Sequence, residues 1–326
     1  MSIIPEHRLD YFNQTARQKF GEPVDAASIL ITQLYHLEGG PPPALVFYGL
    51  DAETQNQLSR EQQILIQSFN QETINIILEL NTSGSWDAGR EMLHLHESLS
   101  QFDNFTFPAF DIAYGIYWIK SNPGLLINSD TLSFYNLGCS FLSRLAVGLD
   151  NEKGIDWSRV IGQTLAELPE DRNKKSIKSL YSLPGMSAAQ VLKWLPAFLA
   201  DDIKASLNAK NIYYLSITVK GYENLFTDTL STASWLEKDY WLRELIAHLT
   251  EVMWIVLSSI RVPWDDYYPQ WKTRLQQYLT GRLNDHDILN HLISQGITED
   301  QDQEGILKLS QGIPYYLDLA TKNYRG

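Results

Sequence analysis

The sequence predicts an α/β fold: a parallel sheet with helices on both faces, a long helical insert and a small helical domain at its C-terminal end. Three observations predict it. Apolar runs of strand length recur at Ala44 to Tyr48, Thr73 to Leu80, Ile212 to Val219 and Val252 to Leu257. Helical periodicity fills the intervals between these runs, so the strands are joined by crossovers rather than hairpins, which is how parallel sheets are built. After Trp271 the pattern reads as helical throughout.

Taken in order, Tyr11 to Phe20 and Ala26 to Leu37 have amphipathic spacing, and Gly39-Gly40-Pro41-Pro42-Pro43 then breaks the chain. The first strand, with Val46, Phe47 and Tyr48, lies between those prolines and Gly49. Glu53 to Asn70 reads as a helix with apolar positions at Leu58, Ile64, Leu65 and Phe69. The second strand follows. A helical tract then runs from about 87 to 208 and holds Arg90 to Gln101, Pro108 to Lys120, Ser129 to Leu149, Trp157 to Leu168 and Ala188 to Leu207. Within it Phe110, Ala113, Tyr114, Tyr117 and Trp118 recur at helical spacing and read as helix–helix core. The third strand leads into Lys220-Gly221-Tyr222-Glu223, and a helix over Trp241 to Leu249 precedes the fourth. An aromatic loop spans Arg261 to Trp271. Beyond it the spacing predicts small helices over Leu275 to Leu279, Asp285 to Gln295, Gln303 to Gln311 and Tyr315 to Asn323. The expected organisation is an N-terminal helical segment (1–42), an α/β core (43–270) carrying the insert, and a helical domain (271–326).

Composition narrows the function classes. At 326 residues and 44% hydrophobic, the chain is long and apolar enough for a substantial core. Its 26 basic and 39 acidic residues give a net charge of −13, the wrong sign for non-specific nucleic-acid binding. A single cysteine, Cys139, excludes an internal disulfide and reads as a small apolar residue. The first residues do not have a basic segment followed by an apolar one, and no apolar run nears the ~20 residues that a membrane helix needs. A cytoplasmic protein without membrane partners is expected.

Strand, glycine turn and helix at residues 44–70 form the frame of a phosphate-binding loop, whose chemistry is G-x-x-x-x-G-K-[ST]. Over those eight positions this chain has Gly49-Leu-Asp-Ala-Glu-Thr54-Gln55-Asn56. Thr54 brings a Cβ where a second glycine would let the backbone wrap a phosphate. Gln55 is uncharged where a lysine would neutralise phosphates. Asn56 offers an amide where a hydroxyl would help hold Mg²⁺. Asp51 and Glu53 add negative charge; at ~4 Å and an effective dielectric of ~20, each contact with a phosphate is opposed by about 4 kcal/mol. An ordinary strand–turn–helix has the same outline, and this stretch alone leaves both readings open.

Across residues 44–324 the parts together resemble the STAND class of P-loop NTPases, bacterial signal-transduction ATPases with numerous domains. Leu-Val-Phe-Tyr-Gly49 is similar to the family's first strand. Phe107-Pro-Ala-Phe-Asp-Ile-Ala-Tyr114 with Tyr117-Trp118 resembles its segment after the second strand. Trp241 to Leu249 followed by Trp254 matches the helix and strand before its sensor position. Gly281-Arg-Leu-Asn-Asp-His-Asp-Ile-Leu resembles the start of its helical lid, and Gln311-Gly312-Ile-Pro314 its lid motif, whose proline lies near the base. No one of these motifs is specific; their order and spacing carry the resemblance. It implies a P-loop NTPase-like sheet with a helical lid at 271–326.

The departures from the family's pattern matter more. The phosphate loop keeps only Gly49. In the family's Asp-x-[Tyr/Phe]-Glu motif, Lys220 replaces the metal-binding Asp while the acid stays at Glu223. Where the family has Gly-Arg, the chain has Ser258-Ser259-Ile260, with Arg261 two positions late. Only Gly312 and Pro314 remain in full. Phosphoryl transfer depends on positioned cations and donors, so the resemblance with these losses implies a pseudo-NTPase with no catalytic residues, no metal and no required cofactor. Lys220 is expected to pair with Asp51, Glu53 or Glu223, filling the metal position with a fixed charge; a lysine snorkelling to solvent is the competing expectation.

Other constellations are weaker. His94 and His96 are two apart on a helix and face different sides, so a solvated face is expected rather than a metal site. Asp201-Asp202 and Asp265-Asp266 are adjacent pairs rather than carboxylates opposed across a cleft, the first expected near a helix end. No constellation supports unrelated enzyme chemistry in the insert. The function expected is that of a non-catalytic regulatory or scaffold protein acting through protein partners, an active relative or copies of itself, in bacterial signalling or defence, with effector and sensor supplied by other chains. The alternative is a switch that binds ATP or ADP without hydrolysis, relying on Gly49, Arg261 and Pro314.

Overall fold

A computed structural model describes residues 29–30, 43–69, 72–80, 88–103, 105–122, 148–150, 154–168, 174–210, 215–226, 237–279, 285–310, 321 and 324. The expected helices at 11–20 and 26–37, most of Ser129 to Leu149 with Cys139, and the segment holding Gly312 and Pro314 lie outside the described residues. In chain order the main elements are β1 (Ala44–Tyr48), α1 (Ala52–Phe69), β2 (Ile74–Glu79), α2 (Ala88–Ser100), α3 (Pro108–Ser121), α4 (Trp157–Glu167), α5 (Lys174–Ser179), α6 (Ala188–Lys210), β3 (Leu215–Lys220), α7 (Tyr240–His248), β4 (Met253–Leu257), β5 (Leu275–Leu279), α8 (Asp285–Ser294) and α9 (Asp300–Ser310).

The five strands form one sheet in the order β2-β3-β4-β1-β5, and every neighbouring pair is parallel. Every residue of β1, β3 and β4 is buried, as central strands covered on both faces must be. Leu45 and Phe47 of β1, Met253, Ile255 and Leu257 of β4, Leu50 and Ile66 form one core cluster, with Leu58 and Leu65 of α1 against it. The helix reading of α1 is correct, and of its expected apolar positions Leu58 and Leu65 pack on the core while Ile64 does not. Gln55, Ser59, Gln62 and Ile66 are buried at helical spacing, whereas Ile64 is 68% exposed.

Leu275 to Leu279 is a strand, not the expected helix, and it pairs with β1 from Ala44↔Leu275 to Tyr48↔Leu279. The α/β core therefore extends past the expected boundary at 270. Its Leu-Gln-Gln-Tyr-Leu sequence has no continuous apolar run because it lies at the sheet edge. There Gln277 donates to Val262 O at 2.8 Å and accepts from Val262 N at 3.0 Å, and Tyr278 stacks on Phe47 with centroids 6.0 Å apart. The aromatic loop before it is core: Trp264 and Trp271 are buried with centroids 4.8 Å apart, and Tyr222 meets Trp264 at 6.2 Å. The α8–α9 pair has its own small cluster of Ile288, Leu292, Ile297 and Ile306.

The chain divides into two compact units. The first takes the described residues of 1–84, 214–231 and 250–326, and so holds the whole sheet; the second takes those of 85–213 and 232–249. The expected insert falls in the second unit, which also includes α7. In that unit α6 packs along α3 and α7. Asp202 sits mid-helix in α6, not at a helix end, and its Oδ2 accepts from the backbone N of Ala109 and Phe110, both at 2.8 Å. It thereby supplies the cap that Phe107 does not give α3. His96 is likewise not on a solvated face: it is buried, 3.0 Å from Asp111 Oδ1, with its ring 4.5 Å from that of Phe107. Among the described residues, no helix is long and apolar enough to cross a membrane.

Candidate functional site

The chain leaves β1 toward β2 at one edge and β4 toward β5 at the other. The adjacent carboxyl ends of β1 and β4 are therefore the position at which open parallel sheets bind their ligands. Leu50 N donates to Ser258 O, and Ser258 N to Phe47 O, each at 3.0 Å, so the two strand ends are joined across this point. Gly49 turns the chain with φ at 81°, a conformation that side chains rarely adopt. At the end of β3 Gly221 has φ at 71°, and a Cβ there would lie 2.8 Å from Leu80 O and 2.6 Å from Asn224 Nδ2, so glycine is required.

Gln55 is 3% exposed and joins three parts of the site. Its Nε2 donates to Leu50 O at 3.0 Å and to Glu223 Oε1 at 2.7 Å, and its Oε1 accepts from Gly221 N at 2.9 Å. The other oxygen of Glu223 accepts from Ser258 Oγ at 3.0 Å and from Ser259 N at 3.1 Å. Ser258 Oγ in turn accepts from Ile260 N at 3.1 Å. The loop after β1, the end of β3 and the end of β4 are thus closed by one connected set of hydrogen bonds. Those to the carboxylate contribute about 1.5–3 kcal/mol each.

At the start of α1, Thr54 N donates to Asp51 Oδ1 at 2.7 Å. A helix N-terminus is a ready anion site, and here the chain's own carboxylate occupies it. Asn56 Oδ1 accepts from Lys220 Nζ at 2.5 Å. Lys220 is largely buried, so it does not snorkel, but its carboxylate partner is Glu79 at 3.3 Å rather than Asp51, Glu53 or Glu223. The reason is register: Glu79 and Lys220 are direct partners across the β2–β3 ladder, and their side chains leave the same face.

Arg261 is held by its own loop. Its guanidinium donates to Asp265 Oδ1 at 2.5 Å and also to Asp266, while Asp265 accepts from Gln277 Nε2 at 3.0 Å. Burial pushes the Tyr48 phenol well above its ordinary range, with the Arg261 charge opposing that shift and Asp265 adding to it. Pro314 lies outside the described residues.

The structure thus brings Gly49, Thr54, Gln55, Asn56, Lys220, Glu223 and Ser259 to one end of the sheet, and ties Arg261 to the acids beside it. Sequence reasoning missed Glu79, which only strand pairing reveals, and the bonding role of Ser258. It read Asp265-Asp266 as a pair without a role. Their spacing of four and five residues from Arg261 on a short helical turn was the available signal. Among the described residues there is no group of three or more His, Cys, Asp or Glu side chains that could hold a metal ion. No protein family model, curated protein or solved structure matches this chain.

Proposed function

We propose that this chain is a non-catalytic regulatory or scaffold protein: a cytoplasmic pseudo-NTPase of STAND-like design that acts through protein contacts in bacterial signalling or defence. The observation that carries the reading is the hydrogen-bond set of Gln55 and Glu223. At the position where the resemblance calls for a phosphate-binding lysine, an uncharged amide ties the loop to Glu223 and Gly221. Three further substitutions support it. A carboxylate from Asp51 stands at the helix N-terminus, an ammonium from Lys220 meets Asn56 where the family holds Mg²⁺, and Arg261 is neutralised by Asp265 and Asp266. The sheet order, with β1 between β4 and β5, supports the reading, because open α/β sheets bind ligands at the carboxyl ends of strands where the connections reverse.

Calorimetric titration of the full chain with ATP and ADP, with and without Mg²⁺, tests the reading. We expect no binding tighter than ~100 μM, about −5.5 kcal/mol, and no phosphate release. Saturable binding below that value without turnover would establish the switch reading instead. Turnover abolished by Gln55→Ala or Lys220→Ala would overturn the proposal.

A further inference from the structure

The chain's charge is unevenly distributed. Residues 174–200 contain four lysines and no Asp or Glu, so the remainder carries −13 − 4 = −17. These lysines are Lys174, Lys175 and Lys178 on α5 and Lys193 on α6. The same stretch carries two large aromatics at the surface, Tyr181 at 48% and Trp194 at 49% exposed.

The second unit's packing puts these groups together. α5 and the helical turn over Leu180–Gly185 that follows it pack on each other and on α4. Ser176 of α5 donates to Asp201 of α6. Asp201 and Trp194 are seven residues apart, two turns of α6, and so lie on one face of it about 10 Å apart. α5 and its lysines therefore flank the face of α6 from which Trp194 projects. Asp201 lies on this face of α6, and Ser176 occupies one of its oxygens.

The same chain carries the complementary surface. Glu299, Asp300, Asp302 and Glu304 put four acids and no base into six residues at the start of α9. Glu299, Asp300 and Glu304 are exposed. Asp302 accepts from Tyr324 Oη, and Glu304 meets Lys308 in a solvated pair at 3.1 Å.

We propose that the basic, aromatic face formed by α5 and the N-terminal half of α6 is an interface for a second copy of this chain, whose acidic stretch Glu299–Glu304 docks on it head to tail. Exposed Trp and Tyr are the composition of interface anchors. Opposed charge patches fix the partner's orientation and suppress contact between like-charged surfaces elsewhere. The contact joins two different patches, so it is heterologous. The inference names one partner for the interaction protein proposed above. That reading is tested by nucleotide titration and this one by oligomeric state, so either can fail alone.

Sedimentation equilibrium of the full chain over a concentration series is the test. We expect a mass above the 37.3 kDa monomer that rises with concentration and falls with added salt. Trp194→Ala should weaken association about tenfold or more. The paired reversal Lys174→Glu/Lys178→Glu should abolish it, as should Glu299→Lys/Asp300→Lys, and combining the two pairs should restore it. All these positions are at the surface, and circular dichroism checks that each variant is folded. A monomer at every concentration, an oligomer unmoved by the variants, or a combined variant that stays monomeric would each overturn the proposal.

Discussion

Glu223 is the residue that closes the site. Its carboxylate accepts from Gln55, Ser258 and Ser259, so it joins the ends of three elements. Glu223→Ala should lower stability by about 2–4 kcal/mol in denaturant melts, because three donors lose a charged partner. Glu223→Gln should cost less, because one amide oxygen can still accept. Tyr48 makes the opposite case. Its hydroxyl is buried with no hydrogen-bond partner among the described residues, and burial holds its pKa above the ordinary 10.0. Stability from this group is complete below pH 10 and is lost as pH rises further, because the unfolded chain releases the proton first. Tyr48→Phe should therefore be neutral or stabilising by up to about 1 kcal/mol at pH 7. It should also flatten the alkaline loss measured in melts from pH 9 to 11, leaving the smaller contributions of Tyr240 and Tyr278, whose pKa values burial also raises. Which residues stand at the loop was legible from order along the chain. Their partners were not, since Lys220 meets Glu79 through a ladder register that no local pattern encodes.

At the scale of elements, periodicity identified α1 and put Leu58 and Leu65 against the core, but it misplaced Ile64. Apolar content pointed inward at Ile64, yet the helix must also bring Gln55 to Gly221 and Glu223, and that bond fixes its rotation. Ile66 then faces the core and Ile64 the solvent. Ile66→Ala should lower stability by about 2–5 kcal/mol, while Ile64→Lys should be close to neutral; chemical denaturation of the two variants separates them. β5 was read as a helix for a related reason: an edge strand needs no continuous apolar run, and its glutamines are explained by bonds to the loop before it. Three of the four apolar runs gave the central strands β1, β3 and β4, because strands buried on both faces leave an unbroken signature, and the fourth gave the edge strand β2. In the second unit, the cap of α3 comes from α6, 92 and 93 residues along the chain. Asp202→Ala should cost about 2–4 kcal/mol and should speed amide exchange at Ala109 and Phe110 first, since both amides lose their acceptor.

For the whole molecule, the dominant physical fact is charge. A chain of net −13 and pI near 5.0 repels itself in the folded state at neutral pH. That repulsion is long-range, whereas the contact of the largely buried Lys220 with Asn56, at 2.5 Å, is little affected by ions. Salt should therefore act on the two differently. Raising ionic strength from about 0.01 to 0.15 M shortens the Debye length from about 30 to 8 Å. It should raise the melting temperature of dilute, monomeric protein by screening the net charge without loosening the Lys220–Asn56 contact. Lys220→Met removes a positive charge and leaves Glu79 beside an apolar chain, so it should increase the salt dependence while lowering stability at every ionic strength. Scanning calorimetry of both proteins across a salt series checks this. Equal salt slopes for wild type and variant would mean that the ammonium contributes only through its local bonds and not to the balance of charge over the fold.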